Sequence, residues 1–154
     1  ELFIANSLVY NDEIFFRPAM NAFAYQVGTR EFSIVLPDKG AKERWDEKYD
    51  NRFSVYCEKL RDIQTGKLTG FAVLNPEYVP ENCIIIDDLC DGGGTFAGQA
   101  VELRKAGAKN IGLAVYHGIF SKGFDIPGID FIYTTNSYKE WINYSKTVKV
   151  INIL

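Results

Sequence analysis

The stretch Cys83-Ile84-Ile85-Ile86-Asp87-Asp88-Leu89-Cys90-Asp91-Gly92-Gly93-Gly94-Thr95 constrains the fold of this chain more than any other. The continuous run from Cys83 to Asp87 describes a strand covered on both faces, because a half-exposed strand would alternate polar and apolar positions. Three successive glycines then allow a tight turn. From Thr95, the residues Phe96, Ala100, Val101 and Leu103 predict one apolar helical stripe, Arg104 and Lys105 suit the last turn, and Gly107 suits a left-handed C-terminal cap. Asn110 to Val115 supplies the next apolar strand. Strand, glycine turn, helix and strand within about thirty residues make a βαβ unit, which implies a parallel sheet.

The rest of the chain extends that unit. Phe32-Ser33-Ile34-Val35-Leu36, closed by Pro37-Asp38, predicts a buried strand that ends in a turn. The charged segment Ala41 to Asp50 predicts an exposed helix, and Pro18 to Val27 another helix stopped by Gly28. Phe53 to Cys57 and Leu68 to Leu74 read as short strands, with the polar Glu58 to Lys67 between them as a hairpin or a mobile loop. Phe131 to Tyr133 and Val148 to Leu154 add further strands. With 154 residues, 47% of them hydrophobic, and neither an internal repeat nor a linker, the expectation is one three-layer α/β domain over residues 1–154 with a mainly parallel sheet.

Charge narrows the partners. A formal charge of -3 with scattered Lys and Arg residues points away from nucleic acid and from a polybasic membrane contact, and toward a small or anionic ligand held locally. The apolar runs are too short to cross a bilayer and the N-terminus lacks the features of a signal peptide, so a cytoplasmic protein is expected. Cys57, Cys83 and Cys90 are odd in number and lack metal-site spacing, which suits reduced thiols.

Ligands of open parallel sheets bind beyond the carboxyl ends of the strands. Backbone amides at the Gly92 to Gly94 turn and the first turn of the following helix would face an anion there, and Thr95 could add a hydroxyl donor. Asp87 and Asp88 would repel a bare phosphate, so they make sense against sugar hydroxyls or a magnesium ion. Phosphate at the glycines and hydroxyls at the aspartates describe a ribose phosphate. The plainer alternative is an Asp-rich turn with a glycine helix cap, but three glycines exceed what a cap needs.

The segment Ile84 to Thr95 resembles the ribose-phosphate loop of type I phosphoribosyltransferases and of the ribose-phosphate pyrophosphokinase family. Val35 to Arg44 resembles the latter's Ser-Pro-Asp-x-Gly-Gly-x-x-Arg segment, with Leu36 for Ser and one glycine missing. Glu58-Lys59-Leu60-Arg61 is similar to its Lys-x-Arg flexible-loop motif, Val115 to Ser121 to its Thr-His-Gly-hydrophobic-Phe-Ser segment, and Asp130 to Asn136 to its late strand and Thr-Asn turn. The resemblance implies a type I phosphoribosyltransferase-like, Rossmann-like fold. It also implies that Asp38 is a magnesium ligand, that Asp87 and Asp88 hold the ribose hydroxyls, that Asp91, Gly92, Gly93, Gly94 and Thr95 wrap the 5-phosphate, and that Lys59 and Arg61 are transition-state cations on a closing loop.

The implied reaction is ribose-phosphate diphosphokinase: diphosphate passes from ATP to ribose 5-phosphate, giving phosphoribosyl pyrophosphate and AMP. The family usually has Thr where Gly92 stands, which removes one hydroxyl donor to phosphate. Residues 1–31 show nothing like the ATP-binding half of the family, so the chain reads as the C-terminal half of a longer, homo-oligomeric protein whose ATP is held mostly elsewhere. The alternatives are a type I phosphoribosyltransferase acting on a nucleobase, against which the Lys59-x-Arg61 and His117 to Ser121 motifs argue, and a non-catalytic regulatory subunit that keeps the pocket. His117, the single histidine, is read as a structural residue without a catalytic role.

Overall fold

In the computed structural model, residues 12–45, 54–141 and 145–153 are described. Residues 46–50 of the expected charged helix, together with Phe53 and Leu154, lie outside them. A single π-turn, Asp12–Phe16, leads into helix α1, Arg17–Val27. Strand β1, Ser33–Leu36, is followed by the short helix α2, Lys39–Trp45. Strands β2, Ser54–Arg61, and β3, Leu68–Val73, form a hairpin. Strand β4, Asn82–Cys90, helix α3, Gly94–Lys105, and strand β5, Asn110–Gly118, are the expected βαβ unit. Strands β6, Phe131–Thr135, and β7, Val148–Ile151, complete the sheet.

The seven strands lie in the order β3-β2-β1-β4-β5-β6-β7, and every pairing is parallel except that of the β2–β3 hairpin. The apolar run in β4 explains its central place. Cys83, Ile84, Ile85 and Ile86 are all fully buried, as a strand covered on both faces requires. Cys83 and Ile85 pack with Phe96, Ala100 and Leu103 of α3, whereas Ile84 and Ile86 pack with Phe15, Phe16, Phe23 and Trp45 on the other face. This alternation, with a two-residue period, gives the three layers, and each fully buried large side chain contributes about 1.5–3 kcal/mol of hydrophobic stabilisation.

Three sequence expectations need correcting. The Asp87–Thr95 segment is not a loop throughout: β4 continues to Cys90, paired with β5 as far as Gly118, and only Asp91, Gly92 and Gly93 form the turn. Of the two readings of Glu58 to Lys67 the hairpin holds and the mobile loop does not for Lys59 and Arg61, because β2 extends through both. Val101 is half exposed and off the apolar stripe of α3; the fully buried Gln99 lies on it instead.

Candidate functional site

From β1 the chain first runs outward to β2 and β3, then returns to β4 on the opposite side of β1 and proceeds to β5. That reversal makes the carboxyl ends of β1 and β4 the switch point of the sheet, the place where open α/β sheets take their ligands. β1 delivers Pro37 and Asp38 to it; β4 delivers Asp87, Asp88 and the glycine turn. Parallel packing against neighbouring strands brings these segments, some fifty positions apart in the chain, to one edge of the sheet.

On the β4 side, Asp87 and Asp88 are half buried, and the Asp87 carboxylate accepts the Asp88 backbone N–H at 2.8 Å. Gly93 has φ 79, in the left-handed region, and is buried beneath Ile126: a Cβ at Gly93 would lie 2.9 Å from that side chain. The first-turn amides of α3 begin at Gly94, so the turn aims unpaired donors and the positive helix end outward together. Thr95 is half buried at the start of the helix. The adjoining Cys90 thiol is pushed up to about 12, mainly by burial and further by the Asp91 and Asp87 carboxylates. Those carboxylates therefore set up a negative field that any phosphate at the turn must meet.

On the β1 side, Asp38 caps α2: its carboxylate accepts the Ala41 N–H at 2.9 Å through one oxygen, while the other lies 3.6 Å from the Lys59 Nζ on β2. Asp38 and Lys59 are thus brought together, each with a side chain about one-third exposed (34% and 31%). Arg61 is not part of that pair. It sits at an irregularity in the hairpin register and donates to the Gly66 carbonyl at 3.2 Å. The hairpin turn is closed by Asp62, whose carboxylate accepts the amides of Gln64 and Thr65 at 3.0 and 2.6 Å. The Thr65 amide bond foremost holds that carboxyl below its ordinary range.

Two connections bind the halves of the site to each other. Fully buried Gln99 of α3 donates from Nε2 to the Pro37 carbonyl at 2.6 Å, tying the phosphate-side helix to the residue before Asp38. Phe71, opposite Lys59 on β3, lies against Gly98 of α3, where any Cβ would overlap its ring. Neither residue is singled out by sequence reasoning; for Gln99 the available signal is a polar residue among the apolar positions of a helix. His117 is held by Ser137, Nδ1 to Oγ 2.8 Å, beside the hydroxyl of Thr135, which donates to the Tyr116 carbonyl.

Among the described residues no group of three or more His, Cys, Asp or Glu side chains converges to cage a metal. Asp38 offers a single carboxylate, facing the Ala41 N–H and Lys59, of the type that can share magnesium with water and substrate phosphates. Among the described residues, no helix is long and apolar enough to cross a membrane.

No protein-family model matches the chain. It is 34% identical over 138 residues to ribose-phosphate pyrophosphokinase from Mycoplasmopsis pulmonis, covering 84% of this chain and 43% of that protein. It is also 31% identical over 91 residues to ribose-phosphate pyrophosphokinase from Corynebacterium glutamicum, covering 57% and 28% respectively. The chain therefore spans less than half the length of these curated relatives. Among solved structures it superimposes on phosphoribosylpyrophosphate synthetase from Mycobacterium smegmatis with a TM-score of 0.63 over 87% of this chain and 45% of that one, at 23% identity, a likeness of fold.

Proposed function

The chain is a homologue of the ribose-phosphate pyrophosphokinases, and on that premise we propose that it supplies the ribose 5-phosphate site of a ribose-phosphate diphosphokinase. The observation that carries this reading is what the neighbouring strands β1 and β4 present at their carboxyl ends. One side offers a carboxylate beside a lysine, Asp38 and Lys59; the other offers two carboxylates followed by an amide-lined turn. A sugar phosphate is the ligand whose two ends match the second side.

In this reading Asp91, Gly92, Gly93, Gly94 and Thr95 enclose the 5-phosphate, and Asp87 and Asp88 accept hydrogen bonds from the ribose hydroxyls. The ribose 1-oxygen, so held, attacks the β-phosphorus of ATP. The bond from that phosphorus to the α,β-bridging oxygen breaks, AMP leaves with the bridging oxygen, and the proton of the 1-hydroxyl passes to solvent. Asp38 would hold magnesium, which would supply neutralisation of charge on the phosphate oxygens. Lys59 exchanges its contact with Asp38 for the transferring phosphates. Arg61 leaves the Gly66 carbonyl to join it, so both cations meet charge that grows in the transition state. ATP is held mostly by residues outside this chain, and the whole protein is a cytoplasmic homo-oligomer with the present 154 residues as one domain.

The test is turnover of ribose 5-phosphate with magnesium ATP by the full-length protein, scored as phosphoribosyl pyrophosphate and AMP. Lys59→Ala and Arg61→Ala should each lower turnover by about 100-fold or more while leaving ribose 5-phosphate binding intact, whereas Asp88→Ala should abolish binding. Binding without turnover by the wild type would overturn the enzyme reading in favour of a non-catalytic subunit.

A further inference from the structure

Resting on the ribose 5-phosphate reading, we propose that Lys122 is an additional anion-binding residue of the site, supplying the cation that the glycine turn itself lacks. Nothing in its sequence position, Ser121-Lys122-Gly123 after β5, marks it out as more than a surface lysine. The tertiary structure lays its side chain along the turn. A methyl group placed on Gly92 would lie 3.6 Å from the Lys122 Cδ and Cε and 3.9 Å from its Nζ, so the lysine runs beside Gly92 at van der Waals reach.

The lysine is presented there by a built segment. The Ile119 and Phe120 amides both donate to the carbonyl of Cys90, the residue before the turn, at 2.9 and 3.3 Å. Phe120 takes φ 48, a left-handed backbone that is costly for a residue with a Cβ, and it is kept there by its buried ring, which packs on Phe124 and Trp141. The Gly123 amide closes back onto the Phe120 carbonyl at 2.9 Å, and Ile126 then covers Gly93. Residues 119–126 thus fold over the turn from both sides, and Lys122 lies at the Gly92 end of that cover.

Electrostatics gives the position its use. Asp87, Asp88 and Asp91 precede the glycines, and backbone amides alone would hold a phosphate dianion against three neighbouring carboxylates. Among the described residues Lys122 has no ion-pair partner, so its charge is free to meet an anion. An ammonium within reach of the turn offsets the repulsion and gives a charge-assisted hydrogen bond to a phosphate oxygen.

The experiment is calorimetric titration of the full-length protein with ribose 5-phosphate and, separately, with D-ribose, for the wild type, Lys122→Gln and Lys122→Arg. Lys122→Gln should weaken ribose 5-phosphate binding by about tenfold, Lys122→Arg should restore most of it, and the wild type should bind D-ribose far more weakly than the phosphate. Unfolding curves for each variant separate loss of charge from loss of structure, since replacing an exposed side chain should leave the unfolding midpoint unchanged. Saturable binding by the wild type that Lys122→Gln leaves unchanged would overturn the role of the lysine alone. A folded wild type that does not bind ribose 5-phosphate would overturn the ribose-phosphate reading and this inference together.

Discussion

The glycine turn after β4 and the β2–β3 hairpin carry the two halves of the same proposed chemistry, yet they are built in opposite ways. The turn is locked: Gly93 is buried under Ile126, the Cys90 carbonyl is taken by two amides, and α3 is anchored by Phe96, Ala100 and Leu103. The hairpin is anchored at its base by β1 and by Phe71 against Gly98 of α3, but its outer end closes on itself. Its tip is closed by Asp62, Ile63 is wholly exposed, the Arg61 guanidinium donates to the tip at Gly66, and the Lys59 ammonium faces Asp38. A region that must hold a ground-state phosphate gains from fixed donors, since they need no rearrangement when the ligand arrives. A region that must meet charge appearing only in the transition state can wait in another set of contacts and exchange them.

That contrast can be broken most sharply at Gly93. Replacing it with Ala puts a Cβ in a left-handed backbone and 2.9 Å from Ile126, so urea unfolding should show a loss of about 2 kcal/mol and ribose 5-phosphate affinity should fall at least tenfold. An intermediate effect belongs to Asp38, which joins the two regions. Asp38→Ala removes the cap of α2 and the partner of Lys59; it should cost about 1 kcal/mol, most of it from the cap because the ion pair is partly solvated. If the pair dominates instead, Lys59→Ala will match that loss in the same unfolding assay. The smallest structural effect is expected at Arg61, where Ala should change stability by less than about 0.5 kcal/mol. A stability loss at Arg61 as large as that at Gly93 would show the hairpin to be as locked as the turn, and the contrast would fail.

Much of the frame was legible because it follows from short-range pattern. The covered strand Cys83–Ile86, the helix after the glycines, Gly28 and Gly107 as helix stops, and the strands around Ile34, Leu113 and Ile132 all follow from periodicity and the backbone freedom of glycine. The strand ends were not legible. Asp87, Asp88 and Leu89 are unlike strand interior by composition, but β5 offers them a partner, and parallel pairing overrides propensity. Lys59 and Arg61 extend β2 for the same reason, with β3 alongside. Val101 fell off the helix stripe because sequence spacing does not say which side of α3 the sheet will cover.

Local pattern was enough to set the layer architecture and the chemical character of the site: apolar strands that demand cover on both faces, and a run of carboxylates and glycines that can address a sugar and a phosphate. Only the tertiary structure decided which residues from distant segments meet there. Asp38 finds Lys59 because β1 and β2 are neighbours, Gln99 reaches Pro37 because α3 packs across the sheet, and Lys122 lies on Gly92 because two amides pin residues 119 and 120 to the end of β4. Periodicity acts over a few residues along the chain, whereas these contacts join segments separated by 21 to 62 positions and exist only once the sheet order is set.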